Sequence, residues 1–131
     1  MQSLFIPATS ETPEVSLCPQ SHRLIMRGES YPENAMAFYA PIRATLADYL
    51  PKVPSGQRIE ASFALSYFNS SSTKLIRSLF SMLHDAAGKG TPTSIQWLHD
   101  PEDDMMMDFG KDLKEEFTAL DVQVLPAETL Q

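Results

Sequence analysis

Several large classes of protein are ruled out by what this chain lacks. It has a single cysteine, Cys18, so no internal disulfide can form and a cross-linked secreted scaffold is excluded. Lys and Arg number 10 against 17 Asp and Glu, giving a net charge of −7. That balance argues against nucleic acid and anionic membrane surfaces, both of which select clustered cations. No apolar run approaches the roughly 20 residues that span a bilayer. The start, Met1 to Pro7, has no basic region and only a three-residue apolar run, Leu4-Phe5-Ile6, so it does not read as a signal peptide. These points give the expectation of a cytoplasmic protein. The phosphate-cradling patterns GxxxxGK[ST] and GxGxxG are missing, as is the zinc pattern HExxH, so no cofactor is expected.

What is present fits one globular domain. The length of 131 residues suffices for one core without a metal or disulfide. Ten prolines and five glycines separate short elements. Strands are expected at 2–6, 15–18 and 23–27. Ser30-Tyr31-Pro32-Glu33 reads as a capping box, with Asn34 as a rival cap. A helix follows over about 33–49, ended by Pro51 and Pro54. Residues 58–68 alternate, with Ile59, Ala61, Phe63, Leu65 and Tyr67 predicted inward. A second helix is expected over about 71–87, stopped by Gly88, then a strand at 94–99, a helix at 102–117 with Glu102, Asp103 and Asp104 in its first turn, and a strand at 122–125. The polar alternate positions of 58–68 imply helices on one side of the sheet only. The expected fold is therefore α/β, a mixed sheet of about five to six strands with three main helices packed on one face.

Few residues carry candidate chemistry. His22, His84 and His99 stand far apart and share no metal-ligand spacing, so no metal is expected. The carboxylates Glu102, Asp103, Asp104, Asp108 and Asp112 suit a helix N-terminus, where the dipole favours negative charge. Cys18 has only His22 nearby as a possible activator. Of Met105-Met106-Met107, at least one must be exposed on a helix. No nucleophile–base pair or cofactor loop supports an enzyme or a small ligand-binding domain.

The stretch Asn69-Ser70-Ser71-Ser72 is more informative. It lies where a buried strand hands over to a helix, and one such residue is accounted for as an N-cap. Four in a row exceed what a cap needs. The junction also offers free N–H groups and the positive end of the dipole, an arrangement suited to an anion. Lys74 and Arg77 follow in the half of the helix where cations are disfavoured, which makes sense where a phosphate occupies the junction. On the residues alone, a plain cap and a regulatory phosphosite both remain open.

Across nearly its whole length the chain resembles the SiaC-type regulatory phosphoproteins, a bacterial STAS-like family. The resemblance rests on Ile6-Pro7 with Thr12-Pro13, Ser30-Tyr31-Pro32-Glu33-Asn34, Gly56-Gln57-Arg58, Tyr67-Phe68-Asn69-Ser70-Ser71-Ser72, Glu102-Asp103-Asp104 and Gly110-Lys111-Asp112, in that order and spacing. It implies a single STAS-like regulatory domain, residues 1–131, that is not an enzyme. It further implies a partner-switching protein whose unphosphorylated form binds and activates a diguanylate cyclase, raising cyclic di-GMP and promoting aggregation or biofilm. A dedicated serine/threonine kinase would phosphorylate the hydroxyl after the motif asparagine, here Ser70, and a phosphatase would reverse it. The family often has threonine at that position. Asn69, Ser71, Ser72, Lys74 and Arg77 would form the phosphosite environment. From the residues themselves, Tyr31, an aromatic beside Pro32 and Glu33 near a helix start, is expected to form a partner-binding surface with the exposed end of the second helix, since aromatics serve well as interface anchors. Antagonism of an anti-sigma factor is the alternative role of such domains, separated only by the partner.

Overall fold

The computed structural model describes residues 3–127. Its elements in chain order are β1 (Leu4–Ile6), β2 (Glu14–Cys18), β3 (Arg23–Ser30), α1 (Ala35–Tyr49), a 3-10 turn (Leu50–Lys52), β4 (Ile59–Phe68), α2 (Ser70–Gly88), β5 (Thr93–His99), α3 (Asp104–Glu116) and β6 (Asp121–Pro126). The strands form one sheet in sequence order, β1-β2-β3-β4-β5-β6. The first three pair antiparallel and the last four parallel. Each parallel step is crossed by one helix. Right-handed crossovers that all advance in one direction place every helix on the same face of the sheet. The expected mixed sheet with three helices is thus present. The expected strand at 2–6 begins at Leu4 among the described residues, and Gln2 lies outside them.

The core sits between that face and the helices. Val15, Leu24, Met26, Phe63, Ile95 and Trp97 from the strands are buried, as are Tyr39, Ile42, Ile76, Leu79, Phe80 and Leu113 from the helices. The opposite face carries Arg23, Glu60 and Gln96, all exposed, as the alternation requires. Trp97 fixes α3 from below: its Nε1 donates to the Met106 carbonyl at 2.9 Å. Gly110 passes so close that an added Cβ would lie 2.3 Å from Trp97 Cδ1.

The structure corrects four details. Ser30 is not a helix cap. β3 runs on through Ser30, which is fully buried, and Asn34 caps α1 by accepting from Ala37 N at 3.1 Å. Pro32 is likewise buried ahead of α1, which starts at Ala35. Next, Tyr67 does not face inward. The β3–β4 register shifts between Gly28 and Glu29, so that Leu65 pairs with Gly28 but Tyr67 with Glu29. The extra residue inverts the alternation. Tyr67 is left 50% exposed, and Phe68 turns onto Phe109 and Trp97, with centroids 4.9 and 6.2 Å away. Gly28 at φ 120° supplies the left-handed backbone that the bulge uses. Third, α2 continues through Gly88, and the left-handed residue after it is Gly90 at φ 105°. Finally, Glu102 lies before α3. Asp103 is its cap, accepting from Met106 N at 3.0 Å, and Asp104 alone is acidic in its first turn.

Candidate phosphorylation site

Asn69 ends the extended run of β4 and opens α2. Its backbone is extended, at φ −87° and ψ 175°, and its side chain accepts from Ser72 N at 3.0 Å. Its own N–H donates to the Ser30 carbonyl at 3.1 Å, which pins the junction to the end of β3. Its carbonyl accepts from both Thr73 N and Thr73 Oγ1, at 3.0 and 3.1 Å. An asparagine suits the position because its amide oxygen reaches a free first-turn N–H while its backbone stays extended.

The three serines that follow differ sharply. Ser70, the first residue of α2, and Ser71 are exposed, whereas Ser72 is fully buried. A hydroxyl at the first helical position lies beside backbone N–H groups that have no intrahelical acceptor. Those donors and the dipole suit an added anion there. Ser72 instead belongs to a buried network. Ser30 Oγ donates to Ser72 Oγ at 2.9 Å and lies 2.7 Å from the Tyr39 hydroxyl. With the single Ser30 proton committed to Ser72, the Tyr39 hydroxyl donates to Ser30. Burial raises the Tyr39 pKa above its ordinary value, so this donor stays protonated.

The two expected cations are placed differently. Lys74 is exposed, one turn beyond Ser70 and on the same side of α2. Arg77 is drawn across to α3: it pairs with Glu116, and its guanidinium lies 5.2 Å from the Phe109 centroid. It ties α2 to α3 and does not reach back to the junction. Tyr31 is half-buried, held by a 2.8 Å bond from its N–H to the Glu11 carbonyl, and its ring meets Tyr67 edge-on at 5.7 Å. Glu33 is exposed. Tyr67 is therefore a surface residue three positions before Ser70. Strict alternation hides this, although two successive aromatics, Tyr67-Phe68, cannot both obey it.

The remaining candidates are dispersed. His22 Nδ1 contacts the Tyr49 hydroxyl at 2.6 Å, His84 packs on Phe117, and His99 is buried with Nδ1 2.9 Å from the Asp100 carbonyl. Among the described residues no three His, Cys, Asp or Glu come together to hold a metal ion. Of the methionine run, Met106 is buried and Met105 is 84% exposed. No helix among the described residues is long and apolar enough to cross a membrane.

A six-stranded mixed sheet with helices on one face, presenting an exposed serine directly after a capping asparagine, defines a small α/β protein whose middle helix opens on a free hydroxyl. Residues 6–127 match the model of the SiaC family regulatory phosphoproteins, and the chain belongs to that family. An uncharacterised protein of Pseudomonas aeruginosa (strain UCBPP-PA14) is 31% identical over 117 residues, covering 88% of this chain and 90% of that one. Among solved structures, the SiaC chain in complex with the diguanylate cyclase SiaD, which it activates, from Pseudomonas aeruginosa superposes with a TM-score of 0.86 at 26% identity, over 95% of this chain and 99% of that one. Apo-SiaC from the same organism gives a TM-score of 0.84 at 26% identity, over 96% and 98%.

Proposed function

We propose that this chain is a non-enzymatic, cytoplasmic, single-domain switch whose unphosphorylated form binds and activates a diguanylate cyclase. A partner kinase phosphorylates Ser70 and releases the cyclase, and a phosphatase restores binding. The observation that carries the reading is the exposed Ser70 hydroxyl at the first position of α2, directly after the Asn69 cap. Family membership and the solved complex of a relative with a diguanylate cyclase support the partner class.

The physics of the switch follows from the junction. A phosphate adds a charge of roughly −1.5 to −2 at neutral pH. Within the chain the charge is tolerated, because the first-turn N–H groups and the dipole face it. Lys74 lies one turn away and offers a solvated counter-charge. Against a partner the same charge is costly, since a dry interface that leaves it unpaired loses several kcal/mol, on the order of a thousandfold in affinity. The group that costs the domain little thus costs the complex most.

The test is phosphopeptide mass spectrometry on the native protein, followed by calorimetry of both forms against a purified diguanylate cyclase. Phosphate at Ser70 and loss of binding are expected together. Equal affinity of the two forms would overturn the switch.

A further inference from the structure

Each helix begins just after the C-terminal end of a parallel strand, so the starts of α1, α2 and α3 lie along one edge of the sheet. α2 is the middle helix. It packs on α1 on one side, and on α3 through Phe80 with Phe117 and Arg77 with Phe109 on the other. Met36 and Met105 each occupy the second position of a helix that flanks α2, so they lie on opposite sides of the start of α2. They are 67% and 84% exposed, and Tyr67, 50% exposed, ends the strand that leads into Ser70. Of the four large apolar residues most exposed among the described ones, three lie on this rim. The fourth, Phe5, lies on β1, where its partner Ser16 belongs to the open face of the sheet.

Charge on the rim is also patterned. The β4–α2 turn at the centre, residues 66–71, is uncharged. The turn before α1 carries Glu33, the turn before α3 carries Asp100 and Glu102, and α3 opens on Asp104, all exposed, with no Lys or Arg in either turn. A neutral, apolar centre between acidic margins has the layout of a binding surface with a dry core and a polar rim. Methionine is well suited to such a core because its side chain adapts to the facing surface.

We infer that Met36, Tyr67 and Met105 are the anchors on which the cyclase docks, meeting an apolar patch on the cyclase that is bordered by Lys and Arg. This rests on the function proposed above and adds the anchors and the partner's chemistry. Ser70 then lies at the dry centre of the contact, out of reach of the cyclase's basic border, so a phosphate there finds no partner on the cyclase. The acidic margins steer the approach of the basic border, and the anchors hold the complex once formed.

The probe is purified SiaD from Pseudomonas aeruginosa on a biosensor surface, with this chain in solution. M36E and M105E should each weaken binding by at least tenfold through faster dissociation, while F5E stays within about twofold of wild type. The pair E33K with D104K should slow association and flatten its dependence on salt. Circular dichroism of each variant reports that the fold is retained, which the exposure of all these side chains favours. Wild-type affinity in both methionine variants, alongside release by Ser70 phosphorylation, overturns the surface and leaves the switch standing. Failure of the unmodified chain to bind the cyclase, or binding indifferent to phosphate, overturns the switch and this surface with it.

Discussion

Ser30 and Ser72 are 42 residues apart in sequence, yet Ser30 Oγ donates to Ser72 Oγ at 2.9 Å, joining the end of β3 to the first turn of α2. Both are fully buried, and Tyr39 from α1 completes the contact. Three elements that surround the Ser70 junction therefore share one buried polar knot. A buried hydroxyl left without its partner costs about 1–3 kcal/mol. Tyr39→Phe removes the donor to Ser30, and Ser72→Ala removes its acceptor. Each should lower unfolding free energy by an amount in that range, read from urea melts. The double variant should fall short of the sum by about 0.5–3 kcal/mol, since neighbours in one network couple. Strict additivity would show that the network is not a unit.

Gly110 should tolerate no side chain. Its missing Cβ would stand 2.3 Å from Trp97 Cδ1, and that ring is fixed by its bond to the Met106 carbonyl and by Phe63, Phe80 and Phe109 around it. Overpacking of this kind costs about 1–3 kcal/mol, against the gain of up to 1 kcal/mol that Gly→Ala gives in an open helix. Gly110→Ala is expected to lower Tm, and the fluorescence of Trp97, the lone tryptophan, reports the displacement. A rise in Tm would show that α3 moves freely off the sheet.

Alkali should destabilise the fold through Tyr49. Burial, with a smaller contribution from Cys18, pushes the Tyr49 pKa up to about 12. An unfolded tyrosine ionises near pH 10. Between those values the unfolded chain binds fewer protons than the native one, so stability falls as pH rises. Its contribution is complete below about pH 10 and gone above about pH 12. Tyr49→Phe should flatten that part of the stability curve. An equally steep alkaline loss in the variant would assign it elsewhere, Tyr39 being the next candidate.

Much of this arrangement was legible in the residues. The period of α2 and the alternation of β4 and β5 are strong because each element buries one face, and the hydroxyl-rich β4–α2 junction stands out where the period changes. Three features were hidden. β3 extends to Ser30 because a buried network claims that hydroxyl, and a serine followed three residues on by Glu33 imitates a capping box. The bulge opposite Gly28 reverses Tyr67 and Phe68, and a bulge leaves little mark in a single sequence. Arg77 lies near Ser70 along the chain, but seven residues is two helical turns, and Glu116 and Phe109 provide its partners from a distant segment.

The sharpest expectations concern the junction itself. The cap is Asn69, not Ser70, so Asn69→Ala should cost about 0.5–2 kcal/mol while Ser70→Ala costs little. Ser70→Ala should keep the unmodified chain's affinity for the cyclase and be inert to the kinase. Ser70→Asp places a carboxylate at the start of α2, where the dipole favours it, so its Tm should match or exceed wild type. Its affinity for the cyclase should nevertheless fall, because the desolvation penalty falls on the complex and not on the free chain. Aspartate carries less charge than phosphate and lacks its reach, so the phosphorylated protein should bind more weakly still. Calorimetry of the four forms, with thermal melts of each, separates the effects. The expected order of affinity is wild type and Ser70→Ala together, then Ser70→Asp, then phospho-Ser70, with all four folded. If affinity instead tracked Tm across the series, phosphate would be acting by weakening the fold, and the charge at the interface would not be the switch.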